Sequence, residues 1–391
     1  MLLLCTTLLL ASALQLIGSP QSPPTGSPPP PAPESQKVPT PEAQKVPAPE
    51  APKAPTIESP ILPTTKRWSV AVSAKPSAMP VIGGDQIFIG LESGIVAAHR
   101  VSDGTETWRV ELRTAQAVGF EGSRVFVAAG DAIHALNAAT GSVAWVAPTG
   151  AVKVPMLAQD GWIIVASGSV VSALRAEDGM KIWSRDIGVP HARPTIEGNN
   201  LYVPLENGHL RALELQTGND RWTKSFTGAP SEVLAFSDRV YVGSADKVFY
   251  CLKADDAGHD WKSRAGAMLR GRPVAEGTRI FITSIDNLLR AYDGNDGALQ
   301  WYRSLPFRPA APAVIGTAIV ISGNSAELHV FEAATGKPAG QIKLEQSLVM
   351  APAFGTSEGA PVMAALTGGI NDEWKLVLTG PPVKPPSVPL E

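Results

Sequence analysis

The chain has 391 residues, 44% of them hydrophobic, and a formal net charge of -3. This composition is sufficient for a large core, and the lack of a basic tract argues against nucleic acid as a partner. Two cysteines, Cys5 and Cys251, exclude a disulfide framework and a cysteine-based metal site once the N-terminal segment is removed.

Residues 1–17 form an apolar segment that ends near the small residues Ala11, Ser12 and Ala13. Such a run is typical of a secretory signal, although no basic residue precedes Lys37. Its polar residues make it a poor membrane span. We therefore predict export, with cleavage of the segment or its retention as an anchor, and membrane association only through this segment or through a partner.

Residues 18–63 are rich in proline and repeat a short phrase, QKVPTPE and then QKVPAPE. A segment of this composition buries too little apolar surface to fold and favours extended conformations. We predict a disordered linker that acts as a tether, with a proline-rich recognition motif as the alternative. Residues 381–391 are a short tail of similar composition.

Residues 64–380 repeat one phrase at intervals of 37 to 40 residues. Each copy has an Asp or Thr, then Gly, three further residues and Trp. The tryptophans are Trp108, Trp145, Trp183, Trp222, Trp261 and Trp301. The copy before Trp261 has its glycine shifted by one position, and a seventh copy has Gly340 in place of Trp. A fixed turn and aromatic at this period indicate an array of identical supersecondary units.

Each unit is predicted to form four β-strands, because apolar residues alternate and turn residues recur every eight to twelve positions. A second marker, usually proline, stands at the start of the first strand of each unit. It occurs at Pro80, Gly119, Pro155, Pro194, Val233, Pro273, Pro312 and Pro352. There are thus eight first strands but only seven turn phrases.

The last unit, around Trp374, lacks a fourth strand, and Trp68 lies 40 residues before Trp108. Pairing the N-terminal strand with the last unit would complete a ring and remove both exposed sheet edges. The sequence therefore predicts an all-β protein, an eight-bladed β-propeller of four-stranded antiparallel blades whose N-terminal strand closes the last blade.

The phrase ALNAATGSVAW at residues 135–145 resembles the pyrroloquinoline-quinone-type propeller repeat, and the resemblance covers residues 64–380. Two branches share this repeat. One comprises the quinoprotein alcohol dehydrogenases, which bind the quinone and Ca²⁺, and the other comprises non-enzymatic outer-membrane assembly factors related to BamB. Eight blades, this length and an export signal are similar to the second branch.

The dehydrogenases hold the quinone beside an adjacent cysteine pair, which Cys5 and Cys251 do not form. The resemblance therefore implies no enzyme activity, no cofactor, and a protein partner, with an outer-membrane assembly complex as the candidate. It also implies a periplasmic or outer-membrane-associated location.

The titratable residues of the repeats are predicted to be structural. Cys251 occupies a slot that holds Ala or Val in other units, and His99 a slot that holds mainly Leu, so both are expected in the core. Asp103, Asp178 and Asp296 belong to the repeated turn, which favours Asp or Thr. No metal motif is present, so we predict no catalytic and no metal-binding residue.

One charged set departs from the repeat. The residue before the first-strand marker is Arg193, Glu232 and Arg272 in three successive units, with Arg270 and His191 nearby. We expect these residues near one mouth of the central channel. They either form a ring of salt bridges that satisfies itself or bind a peptide, a protein or a small anion.

The sequence thus predicts an exported, non-enzymatic scaffold that binds partner proteins through propeller loops, with this charged set as the candidate site. Two alternatives remain open: a quinoprotein-type enzyme or small-ligand-binding propeller, and an extracytoplasmic sensor or adhesion module.

Overall fold

A computed structural model describes residues 60–369 and 373–382, apart from the side chain of Arg270. The predicted signal segment, linker residues 18–59 and tail residues 383–391 lie outside this part of the chain. The described residues form eight antiparallel β-sheets. None of these residues belongs to a helix long and apolar enough to cross a membrane.

An N-terminal strand precedes the complete blades. It is β1 (Thr65–Val72). The first four blades follow in chain order, with four strands in each. Blade 1 comprises β2 (Val81–Gly83), β3 (Gln86–Gly90), β4 (Ile95–Arg100) and β5 (Glu106–Glu111). Blade 2 comprises β6 (Gly119–Glu121), β7 (Arg124–Ala129), β8 (Ala132–Asn137) and β9 (Val143–Pro148). Blade 3 comprises β10 (Leu157–Gln159), β11 (Trp162–Ser167), β12 (Val170–Arg175) and β13 (Lys181–Asp186). Blade 4 comprises β14 (Thr195–Glu197), β15 (Asn200–Pro204), β16 (His209–Glu214) and β17 (Asp220–Ser225).

Three further blades have the same order. Blade 5 comprises β18 (Pro230–Phe236), β19 (Arg239–Ser244), β20 (Val248–Lys253) and β21 (His259–Arg264). Blade 6 comprises β22 (Leu269–Glu276), β23 (Arg279–Ser284), β24 (Leu288–Asp293) and β25 (Leu299–Ser304). Blade 7 comprises β26 (Ala313–Ile315), β27 (Ala318–Ile321), β28 (Glu327–Glu332) and β29 (Pro338–Lys343). Blade 8 begins with β30 (Ser347–Leu348), β31 (Ala353–Ser357), β32 (Ala360–Gly368) and β33 (Trp374–Gly380).

Blade 8 is completed by the N-terminal strand, as the sequence predicted. β1 pairs antiparallel with β33, and Trp68 lies opposite Leu378. The short strand β30 was not predicted, and it makes this sheet five-stranded. The eight-bladed propeller and its mode of closure are confirmed.

The strands of a blade differ in polarity because of their position. Second strands such as β3 are buried along their whole length, since both faces pack against neighbouring blades. Fourth strands such as β13 bury only the tryptophan and expose the residues around it. One apolar cluster spans each junction between adjacent blades, so the core is divided into eight parts.

The repeated tryptophan joins each blade to the next. The Trp108 ring packs on the turn of blade 2, and its Nε1 donates a hydrogen bond to the Ala138 carbonyl at 2.7 Å. A methyl group on Gly141 would lie 2.7 Å from the Trp108 ring, so this turn has no space for a side chain. The same Nε1 bond is made by Trp68, Trp145, Trp183, Trp222, Trp261 and Trp301.

The aspartates of the repeat shape the turn itself. The Asp103 carboxylate accepts the backbone N–H of Thr105 at 2.9 Å, and Asp178 accepts that of Met180 at 3.0 Å. In blade 5 the Ala257 backbone takes the left-handed conformation, with φ of 57°, that glycine adopts in the other turns. The structural role predicted for these aspartates agrees with these bonds.

The junction between blades 7 and 8 has no tryptophan and is packed by different residues. Blade 8 has no turn between its third and fourth strands, because its third strand, β33, is the last strand of the propeller in the chain and its fourth strand, β1, is the first. A tryptophan at position 340 would have no turn to pack on. Residues 60–62 lie there instead: Ile61 is fully buried between the two blades, and Leu62 Cδ1 lies 2.9 Å from the position of a Cβ on Gly340. We call residues 60–62 the latch.

Candidate functional site

The charged set lies at a small cleft of about 100 Å³ beside the first strands of blades 3 to 6. Arg193, Glu232 and Arg272 all line it, as do Leu157 and Thr195. First strands of successive blades contact one another here: β14 contacts β18, β18 contacts β22, and β22 contacts β26. The structure thus brings the three predicted residues together at the inner side of the ring.

Two of the three residues are presented by irregular strands. The other complete blades begin with a first strand of three residues, whereas β18 has seven and β22 has eight. The pairing register shifts between Pro230 and Val233, and again between Arg270 and Val274. These irregularities contain Glu232 and Arg272. Bulges are common where a side chain is redirected near a functional site.

Arg193, Glu232 and Arg272 line the same cleft without forming a direct salt bridge with one another. In the described part of the chain, no salt bridge of 4.0 Å or less joins Glu232 to Arg193 or Arg272. The Nε of Arg193 is buried without a hydrogen-bond partner. Burial lowers the pKa of the Arg193 guanidinium and raises the pKa of the Glu232 carboxyl, and their opposite charges offset part of each change.

Backbone hydrogen bonds hold the cleft together. The Val233 carbonyl accepts bonds from the Thr195 hydroxyl at 2.9 Å and from the Arg272 Nε at 3.2 Å. Blades 4, 5 and 6 therefore meet at one oxygen atom. The bond from Arg272 uses a single nitrogen, so the rest of its guanidinium can bind a ligand.

The other two predicted residues are placed differently. Arg270 belongs to β22 and pairs with Thr283 through the backbone. His191 is exposed, its backbone N–H donates to the Pro204 carbonyl at 2.8 Å, and it does not line the cleft. Leu157 and Thr195 were missed by the sequence argument, because small and apolar residues occur at such positions in every blade.

The remaining titratable candidates are in the core or in ordinary turns. Cys251 is fully buried, and burial raises the pKa of its thiol to about 12, so no reactive thiolate forms at neutral pH. His99 is buried, and its Nδ1 lies 3.0 Å from the Gly104 carbonyl oxygen. Among the described residues, no group of three His, Cys, Asp or Glu side chains could hold a metal ion.

The cleft therefore offers two cationic side chains, one carboxylate and an apolar wall. This combination suits a partner group that brings a carboxylate to the arginines and a donor to Glu232. Its volume is too small for a cofactor, since ligand sites commonly measure about 300–1,000 Å³. It is suited to a protruding side chain or a chain end of a larger partner.

Comparison with known proteins identifies relatives of the chain. The family model described as outer membrane protein assembly factor BamB matches residues 92–235 and 227–371. The BamB of Yersinia pestis is 26% identical over 191 residues, which are 42% of this chain and 48% of that protein. The chain thus spans about half the length of this curated relative.

Two solved structures are similar in fold. BamB from Moraxella catarrhalis has a TM-score of 0.65 at 18% identity, covering 81% of this chain and 99% of that one. A quinohemoprotein alcohol dehydrogenase from Comamonas testosteroni has a TM-score of 0.64 at 13% identity, covering 82% and 77%. At these identities the likeness shows the fold alone, and the fold is common to both branches.

Proposed function

Since the chain belongs to the family of the outer membrane protein assembly factor BamB, we propose that it is an exported, non-enzymatic scaffold for outer-membrane protein assembly. In this proposal it acts at the periplasmic side of the outer membrane and binds a partner protein through the loops of blades 3 to 6. The observation that carries the proposal is the cleft of Arg193, Glu232 and Arg272, whose charges are partly buried and not paired with one another.

The topology supports this choice of surface. Successive strands of a blade are antiparallel, so the turns between third and fourth strands lie on the face opposite the starts of the first strands. The chain enters β1 at the position of such a turn, and it leaves β33 beside it, where Thr65 pairs with Gly380. Both chain ends therefore leave from the face opposite the cleft.

The test is capture of partners from the native envelope by the full chain, with and without Arg193→Glu and Arg272→Glu together. We expect the wild-type protein to recover a component of the barrel-assembly machinery, and the double variant to bind it at least about tenfold more weakly. The loss follows because the variant removes two cations that face the partner and adds two like charges beside Glu232.

The matched control is Arg100→Glu with Arg175→Glu, which makes the same charge change on exposed residues of the opposite face. This control should bind like wild type, since its ion pairs are exposed and contribute little to stability. Reproducible absence of an assembly component from the wild-type capture would refute the scaffold. Equal binding by both double variants, with unchanged thermal stability, would remove the cleft from the site.

The enzymatic branch of the fold predicts a different result. A quinoprotein should change its visible absorbance when pyrroloquinoline quinone and Ca²⁺ are added, because the bound quinone enters a new environment. We expect no such change. Saturable binding of the quinone would overturn the proposal and favour the enzyme.

A further inference from the structure

The junction between blades 7 and 8 departs from the repeat at a second position. In blade 2, Ala135 pairs with Trp145, and the next residue, Leu136, packs against the tryptophan of the preceding blade. In blade 8, Leu378 pairs with Trp68, so the residue equivalent to Leu136 is Thr379. The preceding blade has Gly340 where its tryptophan would be. Two large apolar side chains are therefore replaced by small ones at a single junction.

A cleft of about 270 Å³ remains at this junction, although the latch fills the part near Gly340. It lies between the end of β29 and the strands β32, β33 and β1, and its walls include Leu344, Val377 and Thr367. Thr379 also lines it. This side chain is only 3% exposed, and its hydroxyl has no hydrogen-bond partner.

The rim of the cleft carries more positive than negative charge. Three lysines, Lys66, Lys343 and Lys375, line it together with one carboxylate, Glu345. Lys66 forms a salt bridge with Glu345 and Lys343 forms one with Glu327 at 3.7 Å, which leaves Lys375 as the rim lysine without such a partner among the described residues. An apolar interior with a buried hydroxyl and a cationic rim is complementary to an amphiphile with one anionic head group.

We propose that this cleft, which we call the seam cleft, binds a single-chain amphiphilic anion, a fatty carboxylate or an alkyl phosphate. The aliphatic chain lies beside Val377 and Thr379, in the space that a leucine at position 379 would fill, and the head group lies among the lysines. At about 270 Å³ the cleft is close to the lower end of common ligand sites, about 300–1,000 Å³, so it suits a short single chain such as octyl. This site is independent of the partner cleft of blades 3 to 6.

The test is isothermal titration of the full chain with octanoate, octyl phosphate and the uncharged octanol. We expect saturable one-to-one binding of at least one of the two anions, and at least tenfold weaker binding of octanol. Preference for octanoate would indicate a fatty acid, and preference for octyl phosphate a phospholipid-derived anion. Absence of saturable binding for both anions at about 10 mM, or equal binding of octanol, would overturn the proposal.

Substitutions locate the site. Thr379→Leu introduces the leucine that blades 2 to 5 have at this position and should abolish binding by filling the cleft, while leaving the melting temperature equal or higher. Lys375→Gln should weaken anion binding several-fold, and Lys262→Gln, an exposed lysine of blade 5, should not. Anion binding that survives Thr379→Leu unchanged would place the ligand elsewhere. If that variant fails to fold, the comparison of the two lysine variants decides. Partner capture should be normal in all three variants, so a failure here is distinct from a failure of the proposed function.

Discussion

At the scale of single residues, the fit between Trp and Gly determines how blades join. Each turn glycine lies under the tryptophan of the preceding blade, and its backbone is left-handed, as at Gly141 with φ of 72°. A side chain there is unfavourable both for the backbone and for the contact. Ala257 is the exception, because its turn accommodates a methyl group while Trp222 keeps its bond to the Ala254 carbonyl at 2.9 Å.

Two opposite substitutions test this account. Gly141→Ala should lower the free energy of unfolding by about 2–4 kcal/mol, because its Cβ would lie 2.7 Å from the Trp108 ring. Ala257→Gly should change it by no more than about 1 kcal/mol, in the stabilising direction, because relief of backbone strain exceeds the loss of one buried methyl group. Denaturant unfolding measures both. A larger loss for Ala257→Gly than for Gly141→Ala would contradict the account.

At the scale of elements, the latch takes the place of a tryptophan. Ile61 is buried among residues of blades 7 and 8, including Val330 and Met363. Pro60 lies close to Gly316, where its Cγ is 2.7 Å from the position of a Cβ. Residues 60–62, which the sequence assigned to the linker, thus pack against the propeller, because blade 8 lacks the usual turn and leaves apolar surface that they cover.

Restoring the repeated tryptophan at position 340 should therefore destabilise the protein. Gly340→Trp would place an indole where Leu62 lies, and blade 8 has no turn to receive it. We expect a loss of about 1–3 kcal/mol in the free energy of unfolding, as for other overpacked sites. Denaturant unfolding followed by circular dichroism measures it. A gain in stability would show that the latch is dispensable.

A companion variant separates overpacking from loss of the latch. Ile61→Ala should cost about 2–5 kcal/mol through the cavity that it leaves. If the indole displaces the latch, the double variant should lose less than the sum of the two single losses. Ser69→Ala, at an exposed residue of β1 outside the latch, serves as the control and should change stability by no more than about 0.5 kcal/mol.

At the scale of the whole propeller, closure depends on one strand pair. Consecutive blades are joined by the chain, whereas among the described residues the two ends of the propeller are joined by backbone pairing of β1 with β33 and by side-chain packing between blades 8 and 1. In blades 1 to 7 the fourth strand is connected to its own third strand by a turn. In blade 8 that connection is absent, so backbone pairing and the Trp68 contact replace it.

Proline substitutions should reveal this difference. Val70→Pro lies two residues after Trp68 in β1 and should disrupt pairing with Leu376, so that amide exchange rises across β33 and at the junction with blade 1. Arg185 lies two residues after Trp183 in β13, and Arg185→Pro should raise amide exchange only within that strand. Hydrogen-exchange mass spectrometry distinguishes the two patterns. Equally local exchange in both variants would refute the view that β1 holds the ring closed.

The sequence by itself determined the number of blades, the order of strands and the closure by the strand of Trp68. These features follow from local patterns that recur at one period. Because the pattern is repeated, a copy that lacks one of its residues does not obscure the period. It also located Arg193, Glu232 and Arg272 as departures from the repeat. Their shared cleft could be anticipated because equivalent positions of successive blades are neighbours in a ring.

Only the tertiary structure decided how the irregular parts fit. The bulges that present Glu232 and Arg272, the latch over Gly340 and the cleft lined by Thr379 depend on contacts between segments far apart in the chain. A single small residue gives no local sign of what will occupy the space it leaves. That occupant is determined by packing, which depends on all the surrounding side chains at once.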